Sequence, residues 1–289
     1  MTIDLSGQVA IVTGAGAGLG REYALALAER GAFVVVNDIA RSEGVVVEIK
    51  ALGGTAIAND GDVSDAFEML QMVKEAQNAF GRIDILVNNA GILRDKTFSK
   101  MDMEDFKAVI DVHLMGSVHA TKAVLPMMQE AGYGRIIMIS SSSGVYGNFG
   151  QSNYGAAKMA MIGLMNTFKL EFSKYNIHVN SLVPIAATGM TENLLPREAL
   201  EVLDPKLVAP AVIFLSGHDA PNGEIISAGA GLFSRIRIVE SVGLYFGGDA
   251  TAEMIADNWS KITNPLDEKS IASGPEHSLK FVSKALERS

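Results

Sequence analysis

Short runs of β-branched and apolar residues alternate along this chain with longer stretches in which apolar residues recur every three or four positions. The short runs, Gln8–Thr13, Phe33–Asn37, Thr55–Ala58, Ile83–Val87, Arg135–Ile139 and Ile177–Val183, read as strands buried on both faces. The stretches between them, Leu19–Arg30, Ser42–Leu52, Ser64–Phe80, Met103–Glu130 and Ser152–Tyr175, read as helices. The alternation runs to about residue 230 and predicts an α/β fold, a doubly wound parallel sheet with helices on both faces and ligands at the carboxyl ends of its strands. Past Gly247-Gly248 the pattern loosens into polar turns at Asn264-Pro265 and Ser273-Gly274-Pro275. The expected organisation is therefore a single domain over residues 1–245 with a partly helical extension over 246–289, whose amphipathic last helix, His277–Arg288, is able to dock back on the domain.

Composition narrows the partners. The 289 residues are 48% apolar and 20% charged, an ordinary globular balance. No apolar run approaches eighteen residues, and Met1-Thr2-Ile3-Asp4 lacks the basic and apolar regions of a secretion signal. The expectation is a cytoplasmic protein with no membrane partner. Absence of cysteine excludes disulfides, thiolate zinc sites and a cysteine nucleophile, and no metal site is expected. A net charge of −9 with no basic face argues against nucleic acid.

Thr13-Gly14-Ala15-Gly16-Ala17-Gly18-Leu19-Gly20 lies between the first strand and the first helix, where a dinucleotide fingerprint belongs. In such a Rossmann turn Gly14 permits the tight bend and Gly18 lets backbone approach a pyrophosphate. Gly20 allows helix to pack on strand while N–H groups from Leu19 onward face the phosphates. Asp38 ends the second strand eighteen residues after Gly20, where a carboxylate accepts from a ribose 2′-hydroxyl and repels a 2′-phosphate, which favours NAD over NADP. A strand-end turn is its other reading, and Arg41 keeps NADP open. Asp62-Val63 after the third strand and Asn88-Asn89-Ala90-Gly91 after the fourth are placed to line an adenine pocket, or simply to make turns.

Tyr154 and Lys158 stand one helical turn apart, thirteen residues after Ser141, and no other tyrosine has a lysine at i+4. A phenol with a pKa of about 10 is a poor base near neutrality, but an ammonium on the same helix face favours phenolate. Ser141, at the end of the fifth strand, is the hydroxyl able to hold a substrate oxygen while Tyr154 moves the proton; Ser140, Ser142 and Ser143 read as structural.

Together, the 13–20 glycine motif, Asn-Asn-Ala-Gly and Ser141 with Tyr-x-x-x-Lys resemble the short-chain dehydrogenase/reductases over residues 5 to about 230. The resemblance implies hydride transfer at a nicotinamide. It makes Tyr154 the acid/base, Ser141 the orienting hydroxyl, and Lys158 a ligand of the nicotinamide ribose that depresses the tyrosine pKa. Ile185 and Thr188, after the sixth strand, complete the implied cofactor set. Two positions depart from the family. Its usual Asn-x-x-Gly is His113-Leu114-Met115-Gly116, and its Pro-Gly is Pro184-Ile185. His113 suits a water relay to Lys158, although its charge would disfavour the ammonium; it reads equally as a core histidine.

Gly91–Lys96, Val112-His113-Leu114, Gly147–Gln151, Asn176-Ile177-His178 and Gly229-Ala230-Gly231 are similar to the dehydrogenase regions of multifunctional β-oxidation enzymes. The tail residues Thr251-Ala252-Glu253 and Asn258–Ile262 share that similarity, while a Gly/Lys-rich insertion of that subgroup after the second strand is missing. The implied substrate is a small molecule, an acyl-CoA thioester of the (3R)-hydroxy series or a hydroxysteroid, handled by a homodimer or homotetramer. Arg94, Lys96, Arg235 and Arg237 are candidates for coenzyme A phosphates or are plain surface charges. Met159, Met161, Met165 and Met190 fit either a substrate pocket or a core and subunit interface. An NAD-binding module without catalysis has no need of the Ser-Tyr-Lys set. A sugar-nucleotide epimerase would need more chain after the sheet.

Overall fold

The computed structural model describes residues 2–187 and 197–287, and Thr188 and Met190 lie outside them. Two compact units divide the chain, Met1–Arg235 and Ile236–Ser289. Six strands of the first unit form the expected parallel core: β1 (Val9–Thr13), β2 (Phe33–Asn37), β3 (Thr55–Asn59), β4 (Ile85–Asn88), β5 (Gly134–Ile139) and β6 (Ile177–Pro184). The full order is β3-β2-β1-β4-β5-β6-β7-β8, with β7 (Ile225–Gly229) parallel to β6. The order reverses between β1 and β4, the switch point at which a doubly wound sheet opens a crevice.

The two outer strands escape the periodicity. Ile225-Ile-Ser-Ala-Gly is short and half small residues, and β8 (Leu232–Ile236) is largely exposed, so neither stands out as an apolar run. Between them Ala230 and Gly231 both take positive φ, 49° and 76°, the two-residue turn that sends a strand back on itself.

Helices α1 (Gly18–Glu29), α2 (Ser42–Ala51), α3 (Ala66–Phe80) and α7 (Ser152–Glu171) fall where the period places them. The start of α3 is fixed by Asp65, whose carboxylate accepts from the Phe67 and Glu68 N–H groups, and its end by Gly81 at φ 77°. The stretch Met103–Glu130 is not one regular helix. It divides into α4 (Met103–Ile110), a π-helical turn at Asp111–Met115 and α5 (Gly116–Ala131). Such a turn widens a helix by one residue, and this one carries His113. The remaining helices of this unit are α6 (Ser142–Val145), α8 (Arg197–Val202) and α9 (Ala209–Ser216).

At the amino ends of the strands two charges are buried by design of their partners. The Asp84 carboxylate accepts from Val9 N–H at 2.8 Å and from Arg82 Nε and Nη2 at 2.8 and 2.7 Å, tying β1 to the entry of β4. Arg135, wholly buried inside β5, donates to the carbonyls of Gly134, Asn176, Gly217 and His218 and stacks over the Tyr133 ring at 4.2 Å. Burial holds its guanidinium below the ordinary arginine pKa.

The second unit holds α10 (Ala252–Asp257), α11 (Trp259–Ile262) and α12 (Gly274–Leu286). The last starts three residues ahead of the expected His277, because Ser273 caps the Glu276 N–H and Pro275 fits the first turn. Lys280 bonds the Ser241 carbonyl and, with His277, flanks Glu240. None of the three helices buries a residue.

Replacing Asp84 tests the strand anchor. Asp84→Ala leaves Val9 N–H buried without its acceptor and is expected to cost about 2–4 kcal/mol in urea unfolding. A loss within experimental error would contradict the anchoring role.

Candidate active site

The crevice begins at the glycine loop, where the backbone leaves no room for side chains. A Cβ on Gly14 (φ 61°) would lie 2.7 Å from the Ala90 Cα, and one on Gly20 would meet the Gly14 carbonyl at 2.2 Å. Gly18 takes φ 53°. No side chain caps α1, so its first amides remain for an anion, as the motif requires. The chain leaving β4 is pinned to this loop. Thr13 Oγ1 accepts from the Asn89 and Ala90 N–H groups at 3.0 and 3.1 Å, and the Asn89 amide donates to the Thr13 and Gly14 carbonyls. Asn89 thus shapes the loop with a side chain that is already occupied.

Asp38 makes the turn at the end of β2. One oxygen caps the Ala40 and Arg41 N–H groups, while the other accepts from Gly16 N–H at 3.1 Å, which sets the carboxylate against the glycine loop. Asp62 lies exposed at the end of β3, with Val63 buried beside it and packed against Gly116. The residues present fit a dinucleotide: a side-chain-free cradle, uncapped helix amides and a carboxylate at the second strand. Ile185 follows β6, half-exposed, with its N–H bonded to the Ala228 carbonyl at 2.8 Å and its own carbonyl against Gly229.

On the other side of the switch point, Ser141, Tyr154 and Lys158 come together as their spacing predicts. Ser141 caps α6 by accepting from Ser143 N–H at 3.2 Å, and its hydroxyl lies close enough to the Tyr154 phenol to draw its pKa down. Gly144 and Gly155 allow this closeness: a Cβ on Gly144 would touch the Lys158–Met159 backbone at 2.8 Å, and one on Gly155 the Ser143 carbonyl at 3.0 Å. Ser140 has a structural partner, the Lys158 carbonyl at 2.7 Å. Ser143 has a structural partner too, its hydroxyl donating to Gln151 Oε1 at 2.8 Å.

The electrostatics correct two expectations. Lys158 is 3% exposed, bonds the Ile139 carbonyl at 2.7 Å, and lies 5.6 Å from the Tyr154 ring centroid. Burial pushes its pKa down to about 7. Far from being depressed, the Tyr154 phenol is held above its ordinary value, by burial first, with the Ser141 hydrogen bond opposing and the Asp95 charge adding. A lysine only partly charged near neutrality is too weak to overcome that desolvation. Nor does His113 carry charge: burial, helped by Lys158, lowers its pKa to about 3.

His113 stands edge-on to Tyr154, ring centroids 5.1 Å apart, with Nε2 at 2.8 Å from the Ile92 carbonyl and 3.0 Å from its N–H. Its Nδ1 is buried without a hydrogen-bond partner. Gly91 is obligatory beneath it, because a Cβ there would sit 2.1 Å from the imidazole Cε1.

Three of the four candidate cations are already paired. Arg94 faces Asp105 at 3.6 Å, Lys96 faces Asp102 and Asp105 at 2.8 and 3.2 Å, and Arg235 is bound to Glu224. Met161 and Met165 are core, while Met159 is exposed.

Comparison with known proteins shows the family of this chain. A family model described as short chain dehydrogenase matches residues 8–199. A short-chain type dehydrogenase/reductase of Mycobacterium tuberculosis is 45% identical over 269 residues, 89% of this chain and 94% of that protein. The peroxisomal multifunctional enzyme type 2 of Drosophila melanogaster is 47% identical over 274 residues, 89% of this chain but 45% of that enzyme. Its full-length structure aligns with a TM-score of 0.86 at 41% identity, covering 99% of this chain and 50% of that one. The chain thus spans about half the length of that multifunctional relative. A 7α-hydroxysteroid dehydrogenase solved with NADH and 7-oxo glycochenodeoxycholic acid aligns at TM-score 0.74 and 32% identity, over 79% of this chain and 95% of that one.

The depressed lysine makes a signed prediction. Between pH 7 and the unfolded lysine value near 10.4 the unfolded chain binds the extra proton, so stability contributed at this site rises with pH across that window. Lys158→Met removes the slope. Its stability relative to the cofactor-free wild type should be greatest at pH 7 and decline toward pH 10; a pH-independent difference in melting temperature would refute the burial argument.

Proposed function

This chain belongs to the short-chain dehydrogenase family, and from that premise we propose that it is an NAD-dependent oxidoreductase interconverting a secondary alcohol and a ketone, most specifically (3R)-hydroxyacyl-CoA and 3-ketoacyl-CoA. The single observation that carries the reaction type is the convergence of Ser141, Tyr154 and Lys158 at the carboxyl end of β5, beside the glycine cradle. Bound in that cradle, a nicotinamide dinucleotide supplies the hydride acceptor or donor.

The chain's own residues do the rest. Because Ser141 Oγ accepts from Ser143 N–H, its proton is free to point at an oxygen, either the Tyr154 phenolate or the substrate carbonyl. Tyr154 takes the alcohol proton in oxidation and returns it in reduction. Lys158, its pKa lowered by burial to about 7, becomes more charged as anionic groups gather around it. His113, neutral, holds Ile92 and keeps a buried ring nitrogen without a hydrogen-bond partner beside Tyr154. Asp38 favours NAD, since a 2′-phosphate would meet its charge. The acyl-CoA assignment is supported by the likeness to the multifunctional enzyme. A 17β-hydroxysteroid is the second reading, supported by the likeness to the 7α-hydroxysteroid dehydrogenase. Assembly into a homodimer or homotetramer is supported by Met103, Met115 and Met159, exposed on the long helices.

Two experiments check this. In the first, NADH formation is followed with (3R)- and (3S)-hydroxyacyl-CoA and with 17β-hydroxysteroids. Turnover of the (3R) thioester alone is expected, and Tyr154→Phe should cut kcat by about 10² to 10⁴ with NAD binding kept. A Tyr154→Phe variant with over half the wild-type kcat would remove Tyr154 from the acid/base role, whereas a wild type that binds NAD but turns over none of these alcohols would support an NAD-binding module. In the second, Asp38→Ala is expected to shift the NAD/NADP preference in kcat/KM by at least about tenfold toward NADP. A wild type that already prefers NADP removes Asp38 from the assignment.

A further inference from the structure

Between the glycine loop and the catalytic helix, residues 92–96 run without regular structure, yet every second backbone or side-chain group along them is tied down. Asn153, fully buried, donates to the Arg94 carbonyl at 3.0 Å and accepts from Tyr154 N–H at 2.8 Å. Lys96 N–H donates to the Gly150 carbonyl at 3.0 Å. Between these two lies Gln151, 7% exposed, whose amide orientation is dictated on both sides. Its Oε1 accepts from Ser143 Oγ at 2.8 Å and Asn148 Nδ2 at 2.9 Å, and its Nε2 donates to the Asp95 carboxylate at 2.7 Å.

Followed inward, these bonds reach the reacting groups. The Asp95 carboxylate orients Gln151, Gln151 orients the Ser143 hydroxyl, Ser143 N–H donates to Ser141 Oγ, and Ser141 neighbours the Tyr154 phenol. From the opposite side His113 holds Ile92, so the same loop is fixed at both ends against the two elements that flank Tyr154.

We propose that Gln151 and Asp95 are positioning residues for the Ser141–Tyr154 pair: Gln151 sets the distance between the loop and the catalytic helix, and the Asp95 carboxylate both holds Gln151 in its working orientation and supplies a fixed negative charge near the phenol. The proposal rests on the reading of Ser141 and Tyr154 as the acid/base centre. Among the described residues, the charged and titratable groups around Tyr154 are Lys158 from its own helix, His113 from the π-helical turn, and Asp95 from the loop, with Ser141 the neutral neighbour. Only Asp95 among them is an anion, and an anion disfavours phenolate.

The test is a charge swap on the full chain, assayed with (3R)-hydroxybutyryl-CoA and NAD, or with 17β-oestradiol if the wild type takes that instead. Gln151→Glu sets a carboxylate against Asp95 and should lower kcat/KM by about 10- to 100-fold, the usual consequence of a small misplacement. Adding Asp95→Asn restores a donor facing an acceptor, keeps the wild-type net charge, and should recover most of that loss. Asp95→Asn alone leaves an oxygen for Gln151 but removes the charge, so the acid limb of the kcat/KM–pH profile for oxidation should move to lower pH. Should Gln151→Glu fail to fold by its melting curve, the double variant and the Asp95→Asn profile carry the test. A Gln151→Glu enzyme within about twofold of wild type, a folded double variant no better than the folded single, or an unmoved acid limb would each overturn the proposal. Tyr154→Phe run alongside separates the two ideas: if it is active, the acid/base reading fails; if it is inactive while Gln151→Glu is not impaired, only the positioning role fails.

Discussion

The site depends on how closely two stretches of backbone approach at the switch point of the sheet. The loop leaving β1 and the chain leaving β4 run within van der Waals contact, with Gly14 against Ala90 and Gly20 against the Gly14 carbonyl. Hydrogen bonds from Asn89 and to Thr13 hold that approach. Everything downstream takes its position from it. Gly91 carries His113 above it, Ile92 is gripped by His113, and the next four residues are handed on to the start of α7. A dinucleotide cradle and a proton-transfer centre, built from residues over a hundred positions apart, thereby share one wall.

Burial is the second constraint, and it acts on every ionisable group of the centre in the same sense. It lowers Lys158 to about 7, lowers His113 to about 3, and raises Tyr154. In such a buried centre each charge that arrives during binding or reaction is felt strongly. The single hydrogen bond of Lys158 to Ile139 and the bare Nδ1 of His113 leave both groups with unused capacity, in contrast to the wholly satisfied Asp84 and Arg135 at the opposite edge of the sheet.

Surface charge tells a more restrained story. Arg94, Lys96 and Arg235 each face a carboxylate. On a chain of net charge −9, a cation with such a partner contributes far less to attracting a polyphosphate than its sequence position suggests.

The sequence by itself determined the parallel core, the dinucleotide loop and the Ser141–Tyr154–Lys158 set, because each is encoded within a few residues: a period of two or 3.6, glycines where a Cβ cannot fit, a lysine one turn after a tyrosine. Strands β7 and β8 were illegible, since they are short, small-residued or exposed and owe their place to β6 and a two-residue turn. The π-helical turn at His113 was hidden inside an unbroken helical pattern. The protonation states were beyond any local reading: the i+4 spacing said that Lys158 and Tyr154 meet, but only the packed sheet excludes the water whose loss reverses the expected sign at Tyr154. Likewise Gln151 is an unremarkable glutamine until the fold brings Asp95, fifty-six residues earlier, to its amide. Contacts of that separation are decided by tertiary structure because the chain carries no local signal of which distant surface will desolvate which side chain.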